Sequence, residues 1–165
     1  MTDRITNIVI AGLGGQGVIK ASDMLSYAAF LAGYDVKKAE VHGMSQRGGS
    51  VTSDVRFGES VLSPMVTPGE ADYLVVLEET QIEPSQHRLR DGGVLLSAGA
   101  IDSAALPTAK ALNVAMMGML SVFLKISEDV WQEAIFAHLP EKLHEANVQA
   151  FAHGREIGEK EKNYD

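Results

Sequence analysis

The stretch Ile5–Gly17, written ITNIVIAGLGGQG, determines the fold expected for the whole chain. Its first half is a short run of β-branched apolar residues, which is typical of a strand buried on both faces of a parallel sheet. Its second half places glycines at positions 12, 14 and 17, the spacing of G-x-G-x-x-G. In a βαβ unit such glycines allow a tight turn, close approach of a pyrophosphate and close packing of helix on strand. The stretch therefore predicts an α/β domain.

The residues that follow complete a βαβ unit. Val18–Leu31 has apolar residues at helical spacing, and Gly33 is placed to cap that helix at its C-terminus. Tyr34–Val41 returns to strand character. A strand, a helix and a second strand in this order predict a right-handed crossover between parallel strands. Three further strands are expected, at Val51–Phe57, Tyr73–Leu77 and Val94–Ser97.

Turn residues divide the middle of the chain. A Gly-Glu turn after the third strand predicts a β-hairpin in which Ser60–Ser63 pairs with that strand. Further along, Ile82–Arg90 predicts a helix that is ended by a Gly-Gly pair. The hairpin is interpreted as an insertion into the α/β pattern.

The last third of the chain is predicted to be helical. Ala111–Ile126 is almost wholly apolar and predicts a buried helix. Ser127 is placed to cap the next helix, and Pro140 fits the first turn of a final helix that ends at Gly158. Residues 159–165 are expected to be a frayed tail. The fold class is therefore α/β, a single Rossmann-like three-layer domain over residues 1–165 with a β-hairpin insertion and a helical C-terminal third.

The composition sets limits on function. The chain has 165 residues, 45% of them hydrophobic, which is enough for one domain with its own core. Its net charge of −8 argues against sequence-independent binding to nucleic acid, which requires clustered lysine and arginine. The absence of cysteine excludes disulfides, thiol catalysis and cysteine-ligated iron–sulfur clusters within this sequence. The sequence shows no signal-peptide pattern and no membrane-spanning apolar run, so a cytoplasmic domain is expected.

The first candidate site is the glycine turn formed by Gly12, Gly14, Gly15, Gln16 and Gly17. One interpretation is that phosphate or nucleotide binds at the N-terminus of the following helix. The alternative is a turn that only packs the helix tightly on the sheet. The Gln16 amide has two roles open to it, contact with a ligand or contact across a subunit interface.

The second candidate site is the stretch EVHGMSQRGGS, residues 40–50, which gathers polar and flexible residues where the second strand ends. Arg47 lies where open α/β sheets bind ligands, and its guanidinium suits a carboxylate or a phosphate. A salt bridge or an interface contact is the alternative for Arg47. The candidate binding residues in this stretch are Glu40, His42, Gly43, Gln46, Arg47, Gly48 and Gly49.

No catalytic residue is assigned from the sequence. His42 and Arg47 are the candidates for contributing to an active site at a subunit interface. A single histidine without a second nearby ligand makes a poor metal site, so no metal ligand is predicted. The chain contains neither a G-x-S-x-G nor a Walker A motif, and it resembles a binding domain more than a complete catalyst.

Several motifs in a fixed order resemble a known family. GLGGQG follows the first strand, EVHGMSQRGGSV follows the second, and SPMV, GEADYLVVLE and ALNVAMMG come later. Together they resemble the gamma-type subunit of 2-oxoacid:ferredoxin oxidoreductases, in the branch of the small (beta) subunit of indolepyruvate ferredoxin oxidoreductase. The resemblance runs from Asn7 to Gly158, and the two glycine-containing motifs are its most specific part.

The resemblance implies a reaction and a set of partners. The reaction is oxidative decarboxylation of a 2-oxoacid such as indolepyruvate or pyruvate to an acyl-CoA, with ferredoxin as the electron acceptor reached through the complex. Thiamine diphosphate, Mg and [4Fe-4S] clusters are implied in a large partner subunit, and none is expected to bind tightly to this chain. Coenzyme A is the implied co-substrate, and the two glycine stretches are its implied contacts. The isolated chain is expected to be inactive.

Two alternatives remain open at this point. The chain is also compatible with an independent NAD(P)-binding Rossmann protein, because Asp35 and Glu40 follow the glycines at about the 20-residue spacing of a ribose-binding carboxylate. A further alternative is a pure docking domain in which both glycine stretches serve an interface. The 2-oxoacid is open as well, because the family sets specificity on the thiamine-binding subunit; arylpyruvates, branched 2-oxoacids and pyruvate all fit.

Overall fold

A computed structural model describes residues 4–43 and 49–164 of the chain as one α/β domain. Its strands are β1 (Thr6–Leu13), β2 (Asp35–His42), β3 (Ser50–Gly58), β4 (Ala71–Val76) and β5 (Leu89–Ser97). Its helices are α1 (Val18–Leu31), α2 (Ile82–Ser85), α3 (Leu112–Ser121), α4 (Glu128–His138) and α5 (His144–Asn163), with short 3-10 turns between several of them. None of the helices in these ranges is both long and apolar enough to cross a membrane.

The sheet is mixed, with the strand order β2-β3-β1-β4-β5. β1 pairs with β4, and β4 with β5, in parallel, whereas β3 is antiparallel to both β1 and β2. β1 and β2 therefore run in the same direction, as a βαβ unit requires, but β3 lies between them. Four strands end at one edge of the sheet, called here the carboxyl edge. The opposite edge, where these strands begin, is called the amino edge.

The predicted β-hairpin joins the wrong segments. β3 forms its hairpin with the preceding strand β2, and Ser60–Ser63 belongs to no strand. Backbone donors after β3 bond to carboxylates instead. Asp35 Oδ2 accepts from Val61 N–H at 2.8 Å. Asp54 Oδ2 accepts from Val66 N–H at 2.9 Å. Carboxylates on β2 and β3 thus replace the strand partner that the sequence pattern suggested.

The strands bury both faces of the sheet, as the apolar run in β1 predicts. Ile8 and Ile10 pack toward the longer helices α1, α3, α4 and α5, while Val9 and Ala11 face the other side, and all four residues are fully buried. The second face has a thinner cover, made by the segment around Val66 and by the start of α2. The three-layer α/β domain expected from the sequence is therefore observed, with one layer much smaller than the other.

α1 matches the predicted helix residue for residue. Beyond its end, Gly33 has φ of 97° and donates its N–H to Phe30 O at 3.0 Å, which confirms the predicted cap. The buried side chains repeat at i, i+3, i+4 and i+7 and turn one face of the helix to the core; they are Ala21, Met24, Leu25 and Ala28.

Two of the predicted helices are shorter than expected. The segment Ile82–Arg90 contains only the four-residue α2, because the chain from Leu89 onward is already paired with β4 as strand β5. The apolar helix α3 ends at Ser121, whose hydroxyl donates to Gly118 O at 2.6 Å. Tight turns follow α3 before α4 begins after its Ser127 cap, as predicted.

The final helix is longer than expected. α5 continues through Gly158 to Asn163, so the predicted end at Gly158 and the frayed tail after it are wrong for residues 159–163. Gly158 is a contact residue instead of a cap, because a Cβ atom placed there would lie 2.6 Å from Met119 O of α3. Lys162 Nζ also donates to Val122 O at 3.0 Å, which ties the last turn of α5 to the chain after α3.

Candidate functional site

The glycine turn at the carboxyl edge is closed by the side chain of Gln16. Leu13 N–H donates to Gln16 Oε1 at 2.7 Å, and Gln16 Nε2 donates to Glu78 Oε1 at 3.2 Å. The amide therefore joins the end of β1 to the residues that follow β4. These hydrogen bonds span the crevice between β1 and β4, where open α/β sheets commonly bind ligands. Both of the amide's groups are thus occupied within the chain.

The N-terminus of α1 is available to a ligand. Gly17 is the N-cap residue, with φ of 84°, and no described side chain caps the helix. The first turn contains no acidic residue that would offset the partial positive charge of the helix. The first N–H groups of a helix lack partners inside the helix, so uncapped groups of this kind are suited to an anion.

The two glycine stretches meet at the carboxyl edge. Gly14 N–H donates to Gly49 O at 2.9 Å, and Gly43 N–H donates to Ser50 O at 2.7 Å. His42, the last residue of β2, is paired with Val51 of β3. The two ends of the second stretch are therefore fixed beside the first. The predicted residues Gln46, Arg47 and Gly48 lie outside the described residues.

A cavity of about 410 Å³ opens where the two stretches meet. Its walls come from the glycine turn and the first turn of α1, together with His42 and Val51. Lys20 of α1 is among the lining residues, and no carboxylate is. The chain has a net charge of −8, but the residues that line this cavity carry no negative charge and include the cation Lys20. An anionic group fits its charge and its free backbone donors.

Carboxylates occupy the other half of the carboxyl edge. Glu78 accepts the hydrogen bond from Gln16, and Glu79 Oε1 accepts from Ser97 Oγ at 2.6 Å. Both acids follow β4, whereas the cavity lies on the β3 side of β1. An anion is therefore favoured on the β3 side and repelled on the β4 side. Sequence reasoning missed Glu78, Glu79 and Ser97, because their partners are distant in the chain.

Asn113 is a further residue of this edge that the sequence did not single out. Its side chain is nearly buried, its Nδ2 donates to Gly17 O at 3.3 Å, and its Oδ1 accepts from Val114 N–H at 2.9 Å. A Cβ atom placed on Gly17 would overlap the Asn113 amide. Asn113 therefore packs against the N-cap of α1 at a point where only glycine fits. Its presence inside the motif ALNVAMMG was the available signal.

The predicted carboxylates do not complete a dinucleotide site. Asp35 begins β2 and so lies at the amino edge, away from the glycine turn. Glu40 lies near the end of β2, but β3 separates it from β1, and its Oε1 accepts from Lys38 Nζ at 2.7 Å. Burial opposes the charge of Lys38 most strongly, yet hydrogen bonds from its ammonium to Asp23 and Glu40 together raise its pKa. Glu40 thus already has a cation partner within the chain, which it shares with Asp23.

Comparison with known proteins identifies the family. Residues 7–111, more than half of the chain, match the family described as pyruvate ferredoxin/flavodoxin oxidoreductase. This chain belongs to that family. The matched residues include both glycine stretches, and the resemblance drawn from the sequence motifs is confirmed.

Similar proteins within this oxidoreductase family differ in length. The chain is 47% identical over 91 residues to indolepyruvate oxidoreductase subunit IorB of Thermococcus kodakarensis. That match covers 55% of this chain and 45% of IorB, so the chain spans less than half the length of this curated relative.

Solved structures show the same fold. The gamma subunit of a keto/oxoacid ferredoxin oxidoreductase from Geobacter sulfurreducens superposes with a TM-score of 0.79 at 24% identity, covering 94% of this chain and 99% of that one. The 2-oxoglutarate:ferredoxin oxidoreductase of Magnetococcus marinus superposes with a TM-score of 0.81 at 18% identity, over 96% of this chain and 32% of that one. The fold of this family therefore occurs both as a whole chain and as a part of a longer one.

Proposed function

We propose that this chain is the small, gamma-type subunit of a 2-oxoacid:ferredoxin oxidoreductase and that its carboxyl edge completes an active site held mainly by a larger, thiamine-binding subunit. The observation that carries the proposal is the Gly14–Gly49 hydrogen bond, which joins the two most specific motifs of the family at one edge of the sheet. The reaction of the complex is oxidative decarboxylation of a 2-oxoacid to an acyl-CoA, with electrons passed to ferredoxin.

Coenzyme A is the ligand that the proposal assigns to this edge. It carries phosphate groups, and the uncapped N-terminus of α1 and the cavity beside it offer backbone donors and two basic side chains, Lys20 and His42. Arg47 belongs to the second glycine stretch of the sequence, and a guanidinium suits phosphate because it offers paired donors. The structure of the Magnetococcus marinus enzyme was determined with coenzyme A bound, which supports a role for this ligand in the family.

The redox groups belong to the partner in this proposal. The sequence contains no cysteine to hold an iron–sulfur cluster. Across residues 4–43 and 49–164, no three histidine, aspartate or glutamate side chains come together as a metal site. Thiamine diphosphate, Mg and the clusters are therefore assigned to the large subunit. This chain contributes binding groups and positioning.

Binding of NAD(P) is less well supported than this proposal. The G-x-G-x-x-G spacing favours it, but the Gln16–Glu78 hydrogen bond spans the crevice between β1 and β4. Glu40 is separated from β1 by a whole strand, which at the usual spacing adds about 5 Å. A calorimetric titration with NADH is expected to show no saturable binding in the micromolar range, and saturation there would favour the dehydrogenase interpretation.

The first experiment compares the isolated chain with the assembled enzyme. The chain is purified alone and after co-expression with an untagged large subunit, and ferredoxin reduction is measured with a 2-oxoacid and coenzyme A. The proposal expects no activity from the isolated chain, co-purification of the large subunit and activity in the complex. Turnover by the isolated chain would contradict the assignment as a non-autonomous subunit.

A second experiment separates ligand binding from docking. In the complex, Arg47→Ala is expected to raise KM for coenzyme A about tenfold, as the loss of one charge-assisted hydrogen bond predicts. Lys142→Ala is the control, because Lys142 is an exposed cation in the turn before α5 and its side chain takes part in none of the described hydrogen bonds. If Arg47→Ala weakens assembly and leaves KM for coenzyme A unchanged, the stretch serves a docking surface and the ligand assignment is wrong.

A further inference from the structure

A second cavity lies at the amino edge, on the opposite side of the sheet from the glycine turn. Its volume is about 390 Å³. Its walls come from the chain before β1 and β2, the end of β3, the starts of β4 and β5, and the turn after α3. The proposed function uses none of these residues, so the inference made for this cavity stands or falls separately.

Positive charge is concentrated at this cavity. Arg4, Arg90 and Lys125 line it together with a single carboxylate, Asp72, which leaves two positive charges in excess. Asp72 is buried, and both of its oxygens are occupied. Its Oδ1 accepts from Arg4 Nη2 at 2.6 Å and from Arg90 Nε at 2.8 Å, while its Oδ2 accepts from Asn7 N–H at 2.8 Å. One acid thus orients two guanidinium groups without neutralising both.

Donors remain available on these cations. Each guanidinium has five N–H groups. Asp72 takes one from each arginine, and Arg90 Nη1 also donates to Asp91 O at 2.9 Å, so four N–H groups stay unused on Arg4 and three on Arg90. Lys125 is exposed, and no acceptor among the described residues lies within hydrogen-bonding distance of its ammonium. A carboxylate or phosphate at the cavity mouth would therefore meet unused donors.

Aromatic side chains form the walls between the charges. The rings of Tyr34 and Phe57 lie 5.2 Å apart, and those of Tyr73 and Phe123 lie 5.8 Å apart, measured between centroids. Burial, and then the charge of Asp72, raise the pKa of the Tyr73 phenol, so this wall stays neutral at physiological pH. The cavity combines flat apolar surfaces with a cationic rim.

We propose that the amino-edge cavity binds a small aromatic anion, a flat ring that carries a carboxylate or a phosphate group. Aromatic pairs prefer offset or edge-to-face contact with another ring, and arginine binds planar anions through paired hydrogen bonds. The cations are partly exposed, so solvent screens them and binding is modest. Both parts of the ligand, its ring and its charge, are required for binding.

The proposal is tested by nuclear magnetic resonance titration of the isotope-labelled full chain. Benzoate and phenyl phosphate are the two aromatic anions, benzamide lacks the charge, and cyclohexanecarboxylate lacks the flat ring. Up to about 10 mM, benzoate or phenyl phosphate is expected to shift the amide signals of Thr6, Tyr73 and Phe123 and to saturate. The anion that binds more tightly identifies the preferred headgroup. Equal shifts with benzamide or with cyclohexanecarboxylate, no shifts with either aromatic anion, or shifts confined to other surfaces would overturn the proposal.

Variants locate the binding groups. Lys125→Gln is expected to weaken the binding of benzoate about two- to fivefold, which is the range for loss of an exposed ion pair. Arg90→Gln is expected to weaken it about tenfold, because a guanidinium that can form paired bonds is lost. Lys142→Gln changes an exposed lysine of the turn before α5 and is the control. Lys125→Gln leaves every described hydrogen bond in place, so an unchanged benzoate affinity in this variant contradicts the proposal even if Arg90→Gln fails to fold.

Discussion

The two edges of the same sheet are built from different chemistry. The carboxyl edge is held by backbone groups and side-chain amides, with Gln16 and Asn113 bonded to the glycine turn. The amino edge is held by ionic side chains, with Asp72 between Arg4 and Arg90. An edge shaped by backbone contact is disrupted by adding atoms, whereas an edge shaped by charge is disrupted by removing a charge. The two edges should therefore respond to opposite kinds of substitution.

The largest effect is expected from adding a side chain at the carboxyl edge. Gly17→Val places a branched side chain at φ of 84° and into the Asn113 amide, which displaces the N-terminus of α1. A displacement of about 1 Å near a reacting group can lower activity about 100-fold, and that loss in kcat/KM is expected for the co-expressed complex. The measurement is ferredoxin reduction by the purified complex.

Gly33→Val is the matched control for that substitution. Gly33 also has positive φ, but no described atom lies within 4 Å of a Cβ atom placed there. Both variants carry the same kind of backbone strain, and Gly17→Val adds the overlap with Asn113, so thermal unfolding should report destabilisation in both variants and more of it in Gly17→Val. If both variants lose activity equally, the loss reflects backbone strain alone, and the contact with Asn113 has no special role.

A substitution at the amino edge should instead affect stability. Asp72→Asn removes a buried charge that two guanidinium groups share, and about 2 kcal/mol of unfolding free energy is expected to be lost. Urea denaturation measures this loss. Activity of the complex and KM for coenzyme A should stay unchanged. A large rise in KM for coenzyme A in Asp72→Asn would contradict the separation of the two edges.

The next effect concerns the amide that supports the glycine turn. Asn113→Ala removes the hydrogen bond to Gly17 O and is expected to lower kcat/KM of the complex about tenfold, at a stability cost of about 1 kcal/mol. Asn147→Ala is the control, because Asn147 is also buried and donates to a backbone carbonyl, Leu143 O at 2.9 Å, far from the turn. Similar activity in both variants would show that Asn113 has only a structural role.

The smallest effect is a pH dependence at the amino edge. The hydrogen bond from Val61 N–H, followed by that from Lys37, lowers the pKa of Asp35. Because the folded pKa lies below the unfolded value of about 4, the stabilisation is fully present above that value and is lost as pH falls through the folded pKa. Denaturation at several pH values should show the difference between the wild type and Asp35→Asn shrinking toward pH 3.

Asp91→Asn is the control for the pH series. Asp91 is exposed, and its carboxylate takes part in none of the described hydrogen bonds. Its variant should follow the wild type at every pH. A difference between the wild type and Asp35→Asn that stays constant down to pH 3 would contradict the role given to the hydrogen bond from Val61.

Local patterns explain which parts of the fold the sequence predicted. β1, the glycine turn and α1 were predicted because each depends on residues close in the chain, such as the apolar repeat of α1 and the cap at Gly33. The family was recognisable for the same reason, since its motifs are short and ordered. The hairpin was predicted wrongly, because alternation along β3 does not say which neighbour it pairs with. Asp35 and Asp54 settle the pairing, because each accepts a hydrogen bond from a backbone N–H in the segment after β3.

Long-range contacts explain what the sequence could not predict at the site. Glu78 reaches Gln16 and Asn113 reaches Gly17 only because strand order and helix packing bring them together. Gly158 was interpreted as a helix end because glycine is common there. Its role is instead to let α5 pack closely against the backbone of α3. The hydrogen bond from Gly14 N–H to Gly49 O, which joins the two glycine stretches, is likewise a long-range contact that the sequence did not predict.

Hydrogen–deuterium exchange shows directly whether the carboxyl edge contacts the large subunit and coenzyme A. Amide exchange is measured for the chain alone, in complex with the large subunit, and in the complex with coenzyme A. We expect the complex to protect residues 13–20, 42–43 and 49–51 at the carboxyl edge, and coenzyme A to protect them further, while residues 71–73 and 89–91 at the amino edge stay unchanged. Protection confined to the amino edge, or none at the carboxyl edge, would contradict this expectation.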